Sequence, residues 1–158
     1  MRIVVLIVVV FVAVVVMALL YIRLAPMDAE SWHVDPATAP RPSSPNAYIL
    51  RDAERADAPA PVFPASRAET ARALQAVVAG EPRVTRLVGD PNEGHVTYVQ
   101  RSRLMGFPDA VSIRLEAADE GGTRVSVFSR SRFGYGDGGV NAARVNRWMA
   151  ALSEALGP

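Results

Sequence analysis

The stretch Val111-Ser112-Ile113-Arg114-Leu115-Glu116-Ala117-Ala118-Asp119-Glu120-Gly121-Gly122-Thr123-Arg124-Val125-Ser126-Val127 decides the fold. Apolar and polar residues alternate on both sides of an acid–glycine turn. Successive side chains of a strand point to opposite faces, so the pattern predicts two half-buried strands closed as a hairpin. The return strand is expected to run from Thr123 to Phe133. Upstream, Val96 to Arg103 is rich in β-branched and aromatic residues and reads as a third strand. Arg83 to Val88 alternates weakly and supplies a fourth. Asp90-Pro91-Asn92-Glu93-Gly94 and Gly106-Phe107-Pro108-Asp109 are the turns between them. Connections this short join antiparallel neighbours, so the four strands form a meander.

Two helices flank the strands. Ser66-Arg67-Ala68-Glu69 has the form of a capping box, and Ala71, Leu74, Val77 and Val78 follow at helical spacing. Gly80 and Pro82 stop that helix. A second helix opens after Gly138-Gly139, with Val145, Trp148, Leu152 and Leu156 on one face and Met149 beside them. Both amphipathic helices need a sheet face to cover. The expected fold class is therefore α+β: a two-layer domain over residues 65–158 in the order helix, four-stranded antiparallel meander sheet, helix. No internal repeat is visible.

The N-terminus is of another kind. Ile3 to Ile22 is an unbroken apolar run without Pro or Gly, bracketed by Arg2 and Arg23. Twenty residues at 1.5 Å each cover the ~30 Å hydrocarbon core. The competing reading is a cleaved signal peptide, but those apolar regions are shorter, about 7–15 residues, and the small-residue cleavage sites here are poor. A single-span anchor over residues 1–23 is expected. Arg2 and the amino terminus lie on one side; Asp28, Glu30 and Asp35 follow Arg23 on the other. That bias favours translocation of the bulk of the chain, which in a bacterium means an inner-membrane protein facing the periplasm.

Residues 24–64 carry Pro26, Pro36, Pro40, Pro42, Pro45, Pro59, Pro61 and Pro64. This composition predicts an extended linker that buries little. Fully extended, it would reach over ~130 Å, leaving the domain free of the bilayer. Trp32-His33-Val34-Asp35-Pro36 and Tyr48-Ile49-Leu50 are the two islands expected to be ordered, the latter as an edge strand or extended arm.

Composition excludes several chemistries. The chain of 158 residues has no Cys, so disulfides, thiolate metal sites and cysteine nucleophiles are ruled out. All 17 basic residues are Arg, which removes Schiff-base and P-loop lysine chemistry. A net charge of +1 and the lack of basic–aromatic interleaving argue against a nucleic-acid partner. His33 and His95 are the only histidines, distant in sequence, and no metal site or other cofactor is expected.

If Val96, Tyr98, Val111, Ile113, Leu115, Val125 and Val127 face the helices, the opposite sheet face receives Arg101, Arg103, Arg114, Arg124, Arg130 and Arg132 against Glu116. Guanidiniums on strands ~4.8 Å apart repel unless something negative answers them. Three readings are open: a solvated surface, internal bridges to Asp109, Asp137 and Glu116, or a site for an anionic partner. Gly134-Tyr135-Gly136-Asp137-Gly138-Gly139 formally fits a dinucleotide fingerprint, but no βαβ unit follows, so two local readings are kept: a tight turn with Asp137 capping the helix, which is favoured, and free N–H groups at the helix start that hold an anion. Leu104, Met105 and Phe107 form an apolar turn, either dipping into a membrane or partner or, as favoured, buried against Trp148.

Val96-Thr97-Tyr98-Val99-Gln100-Arg101-Ser102-Arg103-Leu104-Met105-Gly106-Phe107-Pro108-Asp109 resembles the bacterial branch of the domain-of-unknown-function family DUF1499. So do Ser129-Arg130-Ser131-Arg132-Phe133-Gly134-Tyr135 with Asp137, Gly138, Val140-Asn141 and Arg144, and the juxtamembrane Trp32-His33-Val34-Asp35-Pro36. The resemblance implies an envelope protein with one N-terminal span and no assigned activity or catalytic residue. The leading expectation is a non-enzymatic module that binds an anionic ligand, a lipid headgroup or an envelope protein. Arg101, Arg103, Arg130 and Arg132 would donate, Asp109 and Asp137 would orient them, and Asn141 and Arg144 would complete the rim. The alternative is a hydrolase or transferase on an anionic envelope substrate with Asp109 or Asp137 as base. Oligomeric state is not legible.

Overall fold

The computed structural model describes residues 1–119 and 121–157; Glu120, inside the expected hairpin turn, and Pro158 lie outside them. The class is α+β, as the alternation predicts. Helix α1 spans Arg2–Leu24 and is followed by the single-turn α2, Ala29–Trp32. Short strands β1, Ala47–Leu50, and β2, Val62–Phe63, precede α3, Arg67–Ala79. The meander is β3, Val84–Asp90; β4, His95–Arg101; β5, Pro108–Ala117; and β6, Thr123–Ser131. Helix α4 closes the chain over Val140–Leu156.

The sheet has six strands, not four. All pairs are antiparallel, in the order β1-β6-β5-β4-β3, and β2 pairs with the other end of β6. The two extra strands come from the proline-rich region, where Ala47-Tyr48-Ile49-Leu50 offers four consecutive residues free of proline. Together they cover the edge that β6 would otherwise leave unpaired.

The capping box forms as spaced: Ser66 Oγ accepts the Glu69 N–H at 3.3 Å, and the Glu69 carboxylate accepts the Ser66 N–H at 2.9 Å. Leu74 and Val78 of α3 meet Val145, Trp148 and Leu152 of α4 over Val96, Tyr98, Val111, Ile113, Leu115, Val125 and Val127. The expected covered face is the observed one.

The opposite face departs from expectation. Thr97, Val99, Ala110, Ser112, Ser126 and Phe128 are buried there too. What covers them is the chain between α1 and β1, which lies flat as a strap and packs Val34 and Ala39 against Phe128 and Ile49. Apart from the single turn α2 and the turn at Asp35, the strap makes few backbone hydrogen bonds with itself, and its other carbonyls need partners from elsewhere. The sheet supplies them. Arg130 Nη2 donates to Ser31 O at 2.8 Å, and Ser112 Oγ donates to Trp32 O at 3.2 Å. Arg101 donates to Arg23 O at 3.0 Å and to Ala25 O at 2.8 Å. The Arg130 guanidinium also stacks 4.4 Å from the Trp32 ring centre. Arg114 bridges Asp35 at 3.0 Å and Glu116 at 2.9 Å. Arg101, Arg114 and Arg130 of the arginine face are thus turned to the strap, and the expectation of an extended linker over residues 24–64 gives way to a segment held against one sheet surface by these three side chains and Ser112.

Candidate functional site

The strands carry the covered-face alternation past the apolar core to the end of the sheet nearest α1. There it delivers polar residues: Gln100 on β4, Asp109 on β5, Ser129 and Ser131 on β6. Helix α4 brings Asn141 and Arg144 over them, one turn apart. Arg144 is buried, and its fork is divided among four partners. Nη2 donates to Asp109 Oδ2 at 2.6 Å; Nη1 donates to Ser129 Oγ at 2.9 Å and Asn141 Oδ1 at 2.8 Å; Nε donates to Gln100 Oε1. A buried guanidinium needs this degree of satisfaction, because each unmet N–H would carry a desolvation cost.

Asn141 extends the network. Its Nδ2 donates to Asn46 O at 3.0 Å, Ser131 Oγ at 3.1 Å and Asp137 Oδ2 at 2.7 Å. Asn46 Nδ2 in turn donates to Gly134 O at 2.9 Å. Asp137 caps α4 from two residues upstream of its first turn, accepting the N–H groups of Gly139 at 3.0 Å and Asn141 at 2.8 Å. Burial pushes the Asp137 carboxyl up, but those two N–H groups and the Asn141 amide pull it further down, leaving it below the ordinary carboxylate value. The glycines around it earn their place locally: Gly134, Gly138 and Gly139 all have left-handed φ.

Beside this network lies a pocket of ≈ 240 Å³. Ser102, Asp109, Ser131 and Asp137 give it a polar wall; Phe107, Phe133 and Val140, with Gly134 and Gly136, give it an apolar one. Its two sides are the 102–107 turn and the glycine loop. Phe133 links the pocket to the end of α1, with its ring centre 6.1 Å from Tyr21 and 6.2 Å from Phe107, both edge-on.

The eight residues expected at the site fall into two groups. Asp109, Asp137, Asn141 and Arg144 converge as one cluster. The four arginines do not join it as donors to a common ligand. Arg101 and Arg130 hold the strap, and Arg132 reaches Met27 Sδ at 4.0 Å. Arg103 is exposed on the turn rather than on a strand, because β4 ends at Arg101 and Ser102 closes the turn by accepting the Phe107 N–H at 3.0 Å. The apolar turn also differs from the favoured reading: Leu104 is 82% exposed and Trp148 packs edge-on to Tyr98 instead.

His33 and His95, distant in sequence, stack with ring centres 3.9 Å apart. Neither has further metal ligands beside it: no group of three His, Cys, Asp or Glu suited to a metal ion occurs among the described residues.

No curated protein matches the chain. The family described as "Protein of unknown function (DUF1499)" matches residues 34–152, a span that takes in the strap's second half, the whole sheet and the network around Arg144. The chain therefore belongs to the DUF1499 family.

Proposed function

We propose that the protein is a membrane-tethered binding module. Helix α1 anchors it in the inner membrane, the folded part lies on the periplasmic side, and the pocket between the 102–107 turn and the glycine loop holds a small ligand rich in hydroxyl or amino groups. The pocket lining carries this reading: two carboxylates and two serine hydroxyls face two aromatic rings in a space of ≈ 240 Å³. Acceptors select donors, and aromatic faces suit the C–H faces of a polyol or the cation of an amine. The arginines of the sheet donate to the chain's own carbonyls, which weighs against a guanidinium-lined anion site.

Binding is favoured over catalysis by the state of the two carboxylates. Asp137 is held below the ordinary carboxylate range and serves as a cap; Asp109 is ion-paired with Arg144. A general base calls for a raised, unpartnered carboxylate; Asp137 is lowered and Asp109 is partnered.

Gly136 provides the test. A Cβ there would meet nothing within 4 Å, and its φ is not left-handed. Gly136→Leu adds bulk to the pocket wall without backbone strain. Full-length protein extracted from its native membranes in mild detergent is expected to carry a small molecule in native mass spectrometry. Gly136→Leu should lose it while keeping its unfolding midpoint. A wild-type protein that carries nothing, or a variant that retains the same molecule equally, rejects the pocket as the binding site.

A further inference from the structure

The end of the domain that holds the pocket also bears the largest exposed apolar side chains outside α1. Leu104 is 82% exposed and Tyr135 79%, with Val140 and Met105 also exposed. Leu104 and Met105 top the 102–107 turn, Tyr135 tops the glycine loop, and Val140 opens α4. These segments are neighbours, since Ser102, Phe107, Gly134, Gly136 and Val140 line one pocket. Isolated exposed apolar residues need no explanation, but four on adjoining loop tips do.

The same end is joined to α1. Arg23 Nη1 donates to Leu104 O at 3.5 Å, and a Cβ on Gly106 would come within 3.0 Å of the Arg23 side chain. Arg101 closes the joint, donating to both Arg23 O and Gly106 O. Tyr21, one turn of helix inside the span, touches Phe133. The contact is thus at the depth where the hydrocarbon gives way to headgroups. Arg23, Arg83 and Arg103 are exposed around it; Arg83 lies beside Arg101, to whose carbonyl its Nε donates at 3.1 Å. Apolar tips ringed by cations match the layering of an anionic bilayer surface: the upper acyl chains just beneath the headgroups for the tips, phosphates for the rim.

We infer that this end of the domain is seated in the bilayer that α1 crosses, with Leu104 and Tyr135 dipping into the interface and Arg23, Arg83 and Arg103 among the lipid phosphates. The inference rests on α1 being a membrane anchor and is independent of whether the pocket holds a ligand. The topology supplies the control. Strand β4 runs from the Asn92–Glu93 turn to the 102–107 turn, so Glu93, which is exposed, sits at the far end of the sheet.

The absence of native cysteine makes single labels clean. Leu104→Cys, Tyr135→Cys, Val10→Cys and Glu93→Cys, each made alone in the full-length chain, carry a nitroxide in vesicles of phosphatidylethanolamine and phosphatidylglycerol. The ratio of oxygen to nickel-chelate accessibility reports immersion. Positions 104 and 135 are expected to give ratios several-fold above position 93 and below position 10. If 104 or 135 matches 93 while 10 is immersed, the seat is wrong and the anchor stands. If position 10 is itself water-accessible, the anchor reading fails and takes the seat with it.

Discussion

Arg144 sits on the buried face of a helix, 4% exposed, where a charge is tolerated only if every donor is met. Its four partners come from β4, β5, β6 and α4, so one side chain ties the end of the sheet to the helix above it. Arg144→Ala leaves Asp109 buried without its counter-charge and is expected to cost about 3–5 kcal/mol. Arg144→Lys keeps the charge but not the fork and should recover only part of that loss. Denaturant midpoints of the full-length protein in detergent measure both; a loss below about 1 kcal/mol for Arg144→Ala would mean the pair is not structural. Much of this cluster was legible. The alternation that places Val111 and Val127 on the covered face extends to Asp109 and Ser129, and polar residues on a covered face announce a satisfied network. Arg144 and Asn141 were singled out, but as a rim. Gln100, Ser131 and Asn46 were missed: each is an ordinary polar residue until the helix above it is positioned.

The strap has only the single turn α2 as regular secondary structure and is held by side chains of the sheet. Removing a single clamp should loosen it locally. Arg130→Ala deletes the bond to Ser31 O and the stack on Trp32, together worth about 1–2 kcal/mol. Amide exchange over residues 28–39 is expected to accelerate by about tenfold, with the core of β5 unchanged. Equal protection of the strap in both proteins would refute the clamp. This element is where sequence reading went furthest astray, for a physical reason. Prolines state that a segment cannot propagate a helix or a ladder of its own; they say nothing about donors arriving from elsewhere. The surplus of arginine on the opposite sheet face was visible, and so was the unpaired backbone. Which one answers the other required the fold. The meander itself, the capping box and both packing helices were readable because their signals are local and periodic.

At the scale of the whole molecule, acid should act in two stages. Desolvation, and then the neighbouring His95, hold His33 below its ordinary 6.5. Its neighbours are Thr97 Oγ1 at 2.8 Å, the backbone at Gly89 and the stacked His95 ring, which is itself occupied with Val34 O at 3.1 Å. A base with a depressed native value binds more protons when unfolded, so stability is intact above about pH 6.5 and declines as the pH falls below it. The carboxylates follow. The Arg147 guanidinium beside Glu81 holds its carboxyl below the ordinary range, and Asp137 is lowered as well. Their contribution is present above the usual carboxylate values and is lost as the pH drops through the native ones. Unfolding midpoints between pH 8 and pH 3 should fall first near pH 6 and again in the carboxylate range. His33→Gln should flatten the first step and leave the second; a first step of unchanged size assigns it elsewhere.

A segment of this length, if free, would let the domain range far from the end of α1. Here the forty residues after the helix are folded back onto the body they carry, and the length is consumed as contact area. On the proposed anchoring by α1, the protein has almost no range: whatever it meets must arrive laterally within the leaflet or diffuse down to it, and a partner fixed on a distant wall lies out of reach.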